Sequence, residues 1–292
     1  MSFSSLLRRG VSLACLPLGY TMSVLRPGAR ILMYHRVAPG LAGDQLTVRP
    51  EVFEQQMAYL ARNCRVRSLS QVVDDIKHSR VQRGDVAITF DDGYLDNLTH
   101  ALPILKRHNL PATIFVTTAF CDQNVSHPRY PASAERLHLT WDEVRLLAQQ
   151  PGITIGSHTV THPYLSRLPE AAAKAETAES RTRIAQELQR EVAFFCYPSG
   201  DVTAREAKLA ERAGYAAAVT VAPGLNRPDT PRSLLNRTEM TDADSPWDLA
   251  VKLKGGYDPV HALLHRRRQR KFAREAAAVS LPGSLPGSLP GR

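Results

Sequence analysis

The sequence predicts an α/β fold, a (β/α) barrel with fewer than eight strands. Short runs rich in β-branched and other apolar residues alternate with segments of helical spacing, and this alternation is typical of a mainly parallel sheet or barrel. Six such runs predict strands at residues 31–34, 86–90, 112–117, 153–156, 193–197 and 216–220. In a barrel of this kind, catalytic side chains gather at the carboxyl ends of the strands.

Residues typical of helix N-termini predict helices between these strands. Pro50 stands where a helix would begin, and the apolar residues that follow it recur at helical spacing. Thr140 and Glu143 form the capping-box pattern that opens another helix. Pro169 precedes a long segment rich in alanine, glutamate and arginine that continues to Arg190. The order of elements is therefore that of repeated strand and helix units.

The positive charge of the chain lies at its two ends. The 292 residues carry a formal net charge of +9. Residues 1–43 contain five arginines and no acidic residue, and residues 261–292 contain seven basic residues and one acidic residue, so residues 44–260 are slightly acidic. A nucleic-acid reader needs a basic face on its folded domain, and we therefore expect no nucleic-acid partner. Basic ends suit an anionic membrane surface, or they remain solvated without a partner.

Composition divides the chain into four segments. Residues 1–28 are basic and apolar, but their apolar stretch is shorter than the roughly 20 residues that span a bilayer, and no A-x-A cleavage site follows it. This segment is a candidate membrane-surface anchor. Residues 29–260 form the predicted main domain, and residues 261–279 predict a basic helix. Residues 280–292 repeat Ser-Leu-Pro-Gly, which predicts disorder.

Two adjacent carboxylates follow the predicted strand 86–90. Asp91 and Asp92 belong to the sequence T-F-D-D-G at residues 89–93. Like charges held close together raise each other's pKa unless a cation or a proton compensates, and a metal ion would supply that compensation. Taken alone, an Asp-Asp-Gly sequence favours a plain turn that caps the next helix.

A pair of histidines follows the predicted strand 153–156. His158 and His162 are four residues apart, so they share one face of a helix and can also converge from a turn. Together with the carboxylates after another strand, they favour a metal site of two histidines and one carboxylate. The four cysteines of the chain form no C-x-x-C pair, so neither a zinc ribbon nor a redox pair is predicted.

A third polar turn follows the predicted strand 193–197. It reads Pro198-Ser199-Gly200, and a Pro-x-Gly turn at a strand end can present backbone N–H groups to a cleft. An oxyanion hole requires donors of this kind. Considered alone, the same sequence fits an ordinary turn from strand to loop.

Taken in order, these motifs resemble the polysaccharide deacetylases of carbohydrate esterase family 4, the NodB homology domain. The first family motif, T-F-D-D-G, is matched without change at residues 89–93, and the second, H-[ST]-x-x-H-[PS], is matched at residues 158–163. The resemblance covers roughly residues 30–256, and I-L-M-Y-H-R-V at residues 31–37 is similar to the exopolysaccharide-associated branch. It implies a distorted (β/α) barrel with fewer than eight strands and assigns residues 29–260 to the catalytic domain.

The resemblance also implies a role for each motif residue. Asp91 would be the general base, and Asp92, His158 and His162 would hold a divalent ion, with zinc the expected metal. Such an ion polarises the acetamide carbonyl and lowers the pKa of its water, while the base takes the proton from that water. The ion and a backbone N–H near Ser199 would then meet the charge of the oxyanion.

The sequence departs from the family pattern in the third and fifth motifs, and the fourth motif has no clear match. The third family motif commonly supplies an arginine that orients the base, but Cys196 stands at that position, and Arg237 is the candidate to replace it. The fifth motif normally supplies a histidine that protonates the leaving amine. His261 and His265 are candidates, but both lie in a run that becomes polybasic. His35 follows the first predicted strand, and we favour it as the acid.

The sequence therefore predicts an enzyme that removes N-acetyl groups from N-acetylhexosamine units of a bacterial exopolysaccharide. A peptidoglycan or chitooligosaccharide deacetylase and an amidase on a lipid-linked aminosugar are the alternatives among enzymes. An inactive sugar-binding relative is the alternative outside them, although such a protein has no need for the base Asp91. We expect a cell-envelope location, membrane-associated or periplasmic, with the cytoplasmic face of the membrane as the alternative. The sequence says nothing about oligomeric state.

Overall fold

Parallel strands form the centre of the structure, a computed structural model that describes residues 10, 12–17, 21, 24–39, 44–125, 129–130 and 136–267. All six strands predicted from the sequence are present, with ends that differ by no more than a few residues. Four strands of two residues each were missed, because so short a strand carries no periodicity. The strands are β1 Arg30–Tyr34, β2 Arg36–Val37, β3 Thr47–Val48, β4 Arg65–Val66, β5 Asp85–Phe90, β6 Ala112–Val116, β7 Ile153–Ser157, β8 Phe194–Cys196, β9 Ala217–Val219 and β10 Thr238–Glu239.

The main sheet is curled into a barrel. Seven strands follow one another in the order β10-β1-β5-β6-β7-β8-β9, and β4 pairs with the start of β5 beside this path. Every strand pair in this sheet is parallel. Leu235, shortly before β10, forms a parallel bridge with Val219 of β9, so one segment joins the two edges of the sheet. The predicted distorted (β/α) barrel with fewer than eight strands is confirmed.

Helices connect successive strands and cover the outside of the barrel. The helix that begins at Pro50 has its proline in the first turn, as predicted. Thr140 and Glu143 form the predicted capping box. The long helix ends at Leu188, where Gln189 adopts a left-handed conformation. The helices are Pro50–Asn63, Leu69–Lys77, Leu102–Arg107, Thr118–Cys121, Trp141–Ala148, Glu170–Leu188, Ala204–Arg212 and Pro246–Leu253, followed by helical residues 258–267.

Side chains alternate between the inside and the outside of the barrel, and this alternation positions the polar residues. Ile31, Ala87 and Cys196 belong to a buried cluster inside the barrel, while their strand neighbours pack under the helices. Successive residues of a strand point to opposite faces. Thr89 and Asp91 lie two and four residues after Ala87, so they share its face, and Asp91 lies at the carboxyl end of β5. The strand pattern therefore directs Asp91 toward the mouth of the barrel.

The two ends of the described chain meet at one place on the barrel. A Cβ atom at Gly256 would lie 2.9 Å from the carbonyl oxygen of Ser12 and 3.4 Å from Leu16, so helical residues 12–17 pack against the turn before residues 258–267. Among the helices within the described part of the chain, none is both long and apolar enough to cross a membrane. Residues 268–279 of the predicted basic helix and the predicted disordered tail at 280–292 lie outside the described residues.

Candidate metal and catalytic site

The two carboxylates after β5 point to different partners because the backbone turns sharply between them. The backbone N–H of Asp91 still donates to the carbonyl of Tyr34, the last residue of β1, at 3.0 Å. Asp92 then takes a left-handed conformation with φ of 70°, and Gly93 follows with φ of 62°. A left-handed conformation at a residue other than glycine costs on the order of 1 kcal/mol and persists only where the surroundings enforce it. Asp91 thus turns to Arg237 and Asp92 to the histidines.

His158 and His162 converge on one carboxylate oxygen. The Nε2 atoms of both rings lie 3.3 Å from Oδ1 of Asp92. The Nδ1 atom of His158 lies 2.8 Å from the carbonyl oxygen of Cys196. A carbonyl oxygen only accepts, so this Nδ1 carries a proton and the ring presents Nε2 to Asp92. The pair converges from a turn rather than a helix, with His162 at a φ of 61°.

Glu176 fixes the loop that carries the two histidines. Its carboxylate accepts the backbone N–H groups of Val160 and Thr161 at 2.8 and 2.9 Å and the Thr161 hydroxyl at 2.6 Å. The residue lies on the long helix Glu170–Leu188, and nothing in the sequence separates it from the other glutamates of that helix. Three hydrogen bonds to one carboxylate hold the loop in a single conformation.

His138 supports the strained residue Asp92, and no sequence motif points to it either. Its Nδ1 atom donates to the carbonyl oxygen of Asp92 at 3.1 Å. The ring is buried between Tyr94 and Phe120, at centroid distances of 4.8 and 4.3 Å. This contact helps to hold the left-handed conformation that aims the Asp92 carboxylate at the histidines.

Arg237 binds Asp91 with both ends of its guanidinium group. Nη1 and Nη2 donate to the two Asp91 carboxylate oxygens at 2.7 Å each. The other donors reach the carbonyl of Thr220 at 2.7 Å, the hydroxyl of Thr89 at 3.2 Å and the sulfur of Cys196 at 3.1 Å. All five N–H donors of this fully buried guanidinium therefore have acceptors. The structure places Arg237 against Asp91, and Cys196 occupies the space beside them.

Burial and neighbouring charges act in opposite directions on the acidic groups of the site. Burial raises the pKa of Asp91, but the charge of Arg237 outweighs it and holds that pKa below its ordinary value. Burial likewise raises the pKa of Asp92, but the hydrogen bond from His158 and the charge of His162 hold it well below the ordinary range. Both carboxylates are therefore ionised at neutral pH.

The remaining predicted residues surround this centre at different distances. The Nε2 atom of His35 lies 3.9 Å from Oδ2 of Asp91, and its backbone carbonyl accepts a hydrogen bond from Asn97 at 2.8 Å. Ser199 lies in the predicted turn after β8, with φ of 55°. His261 and His265 line a groove of about 270 Å³ that also contains Met33, Glu239 and Arg237.

The donor set fits a divalent ion at Asp92, His158 and His162. One ligand atom from each of these residues lies within 4.8 Å of the other two. Asp91, His158 and Cys196 form a second group of this kind. In that second group, however, Asp91 and Cys196 both contact the positive charge of Arg237, which disfavours a metal ion there. Two imidazole nitrogens and one carboxylate oxygen form a common catalytic zinc site that keeps positions open for water and substrate.

Fold and site together define an α/β-barrel enzyme whose polar centre lies at the carboxyl ends of its strands. The model of the polysaccharide deacetylase family matches residues 78–218, which include the two carboxylates and both histidines. The Bacillus subtilis (strain 168) protein YxkH, a polysaccharide deacetylase by its assigned name, is 30% identical over 214 residues, which are 72% of this chain and 71% of that protein. The chain belongs to the polysaccharide deacetylase family, and the predicted class of enzyme, a polysaccharide N-deacetylase, is confirmed.

Solved structures extend the similarity beyond the matched segment. The Streptococcus pyogenes deacetylase PplD, in complex with acetate, superposes with a TM-score of 0.70 and is 26% identical, covering 78% of this chain and 99% of that one. IcaB from Ammonifex degensii has the same fold, with a TM-score of 0.65 at 24% identity over 78% of this chain and 97% of that one. His35 and Arg237 lie outside residues 78–218, and the structure brings both of them close to Asp91.

Proposed function

We propose that the chain is a metal-dependent N-deacetylase that acts on N-acetylhexosamine units of a bacterial exopolysaccharide. The observation that carries the proposal is the pair of adjacent carboxylates with separate partners. Asp92 faces two histidine nitrogens at 3.3 Å, and Asp91 is fixed by a buried arginine at 2.7 Å. One carboxylate is thus arranged as a metal ligand, and the other is left to exchange protons with water.

Asp92, His158 and His162 would hold the ion, and zinc is the metal we propose. Two imidazole nitrogens and one carboxylate oxygen suit zinc, although other divalent ions accept the same donors. When bound, the ion would polarise the acetamide carbonyl and lower the pKa of water. Glu176 and His138 would keep the three donors in place, because one fixes the histidine loop and the other fixes the backbone of Asp92.

Asp91 would act as the general base and His35 as the general acid. Arg237 keeps Asp91 ionised and fixes its orientation, so that the carboxylate can take a proton from the attacking water. His35, with its Nε2 atom 3.9 Å from Asp91, would protonate the leaving amine. His261 and His265, which line the groove beside Arg237, are the alternative candidates for the acid. The backbone N–H of Ser199 is our candidate donor to the oxyanion.

The choice of exopolysaccharide rests on the first strand. The sequence I-L-M-Y-H-R-V at residues 31–37 supplies four of the five residues of β1 as well as His35, and it resembles the exopolysaccharide-associated branch. We further propose that the protein works at the bacterial cell envelope, membrane-associated or periplasmic, and that the cytoplasmic face is the alternative. The similar deacetylase PplD was solved in complex with acetate.

Release of acetate from a panel of N-acetylated glycans tests this proposal. The panel contains an N-acetylated exopolysaccharide, peptidoglycan, chitooligosaccharides and a lipid-linked acetamido sugar, with the Asp91→Asn variant as the inactive control. We expect acetate from the exopolysaccharide at the highest kcat/KM, and no acetate above the control from an unacetylated polymer. A preference for peptidoglycan, chitooligosaccharide or the lipid-linked sugar would contradict the proposed substrate. Failure of every glycan would contradict the proposed activity.

A further inference from the structure

We propose that the chain docks on the surface of a bilayer that contains anionic phospholipid, through one face formed by its two ends. This terminal face comprises residues 12–17 and helical residues 258–267. The docking proposal rests on the proposed envelope location, but it is independent of the proposed chemistry. It names a surface and a partner that the barrel and its site do not require.

Large apolar side chains are exposed on this terminal face. Leu263 and Leu264 are 53% and 55% exposed, and Leu13 is 50% exposed. Arg266 and Arg267, in the next turn of the same helix, are exposed as well. An isolated exposed leucine needs no explanation, but adjacent leucines beside adjacent arginines form an amphipathic surface. A surface of this kind suits the boundary between lipid headgroups and acyl chains, where leucine enters the apolar layer and arginine remains with the headgroups.

Contacts with the core hold the terminal face in position. Asp258, at the start of the helix, accepts two hydrogen bonds from the buried Arg30, at 3.0 and 2.7 Å. Tyr257, the preceding residue, is buried and donates to Asp248 at 2.9 Å. Residues 12–17 join the same place through the contact of Ser12 with Gly256. The exposed leucines are therefore carried by a helix that is anchored at its start.

The charge of the chain favours a lipid surface over a second copy of the protein. The positive charge of this face is that of Arg266 and Arg267, which are exposed, because Arg26, Arg30 and Arg36 of the N-terminal segment each pair with an aspartate. Two copies that met through this face would bring like charges together, whereas anionic headgroups would attract it. Charge complementarity thus selects an anionic bilayer.

Docking in this way would place the bilayer beside the catalytic site. Leu264 belongs to the terminal face and also lines the groove that contains Arg237 and Met33. Arg237 in turn holds Asp91. A glycan presented at the membrane surface would therefore meet the enzyme on the side where the groove opens.

Sedimentation with lipid vesicles tests the proposal on the full chain. The vesicles contain either phosphatidylcholine alone or phosphatidylcholine with phosphatidylglycerol. We expect wild-type protein to sediment with the anionic vesicles and to be released at high salt, because screening weakens surface electrostatics. The Leu263→Ser/Leu264→Ser and Arg266→Gln/Arg267→Gln variants should each bind about tenfold more weakly, on the scale expected when apolar burial or charge is removed. Leu146→Ser is the matched control, because Leu146 is 47% exposed on the helix Trp141–Ala148.

Several outcomes would overturn the proposal. It fails if the leucine variant, folded by circular dichroism, binds as well as wild type, or if the control loses as much binding. The proposal also fails if wild-type protein does not bind anionic vesicles or binds neutral vesicles equally well. A dimer in size-exclusion chromatography that the leucine variant dissociates would assign the face to a second copy. Acetate release is measured separately. If the protein binds anionic vesicles but releases no acetate, the proposed chemistry is wrong and the docking proposal stands.

Discussion

Replacing Arg237 with methionine should destabilise the folded protein, because the change leaves a buried carboxylate without its counter-charge. Both oxygens of Asp91 accept hydrogen bonds from this guanidinium at 2.7 Å, and both side chains are buried. Methionine retains much of the apolar stem of arginine but has no donor. Removing one partner of a buried ion pair costs about 3–5 kcal/mol. We expect a loss of this size in the free energy of unfolding.

Arg26→Met is the matched control. Nη2 of Arg26 lies 2.7 Å from Oδ2 of Asp229, the same distance as in the buried pair, but both of these side chains are more than half exposed. An exposed ion pair contributes about 0–1 kcal/mol. The two variants therefore remove ion pairs with the same contact distance, one buried and one exposed, and the difference between them measures what the buried guanidinium contributes through its pair with Asp91 and its other hydrogen bonds.

Urea unfolding of wild type, the two single variants and Arg237→Met/Asp91→Asn provides the measurement. The double variant removes both charges, so it should be more stable than Arg237→Met alone. Because Arg237 lowers the pKa of Asp91, the stabilisation from this pair is present above the ordinary carboxyl pKa of about 4. It is lost as the pH falls from there through the lowered value of the folded state. The gap between wild type and Arg237→Met should therefore narrow in acid.

Two results would contradict the predicted role of the buried ion pair. If Arg237→Met loses no more stability than Arg26→Met, the buried pair is not the source of the predicted effect. If the double variant is less stable than Arg237→Met, a buried Asp91 charge is not what makes the single variant unstable. In either case the account of how Asp91 is kept ionised would have to be abandoned.

The remaining predictions separate the roles of individual site residues. Asp91→Asn should still bind metal, but its turnover should fall roughly a hundredfold or more, the usual scale for loss of a general base. Asp92→Asn should instead lose the metal. Calorimetric titration with zinc measures metal binding by both variants, and acetate assays measure their turnover. His35→Ala should slow the hydrolysis of acetamido sugars far more than that of an activated acetate ester, whose leaving group needs no proton. If His261→Ala or His265→Ala instead loses activity on acetamido sugars but not on the ester, and His35→Ala loses neither activity, the general acid was misassigned.

The barrel could be predicted from the sequence because its strands are buried on both faces. Such strands appear as short apolar runs between helices, and the runs at 86–90 and 153–156 mark β5 and β7. The polar motifs follow those runs directly, so the sequence also predicted that both motifs lie at the carboxyl edge of the sheet. β10 has only two residues, and its position depends on pairing with β1, far away in the chain. Pairing over such a distance leaves no local pattern to recognise.

The supporting residues of the site could not be predicted for the same reason. Glu176 resembles any solvated glutamate on a helix until the fold brings the histidine loop against it. His138 stands outside every motif, and its role depends on the backbone conformation of Asp92. Arg237 was a candidate only because an arginine was missing elsewhere. Its contact with Asp91 arises from the inward alternation of the segment that joins β9 to β10.

Metal dependence of the deacetylation is tested most directly by acetate release from an N-acetylated polysaccharide. One preparation is assayed before chelation, after chelation and after zinc is restored, and its metal content is measured each time by elemental analysis. We expect about one divalent ion per chain at Asp92, His158 and His162. Acetate release should be lost completely when that ion is removed and should recover with zinc or cobalt. Full activity in a preparation shown to be free of metal would contradict the proposed metal dependence.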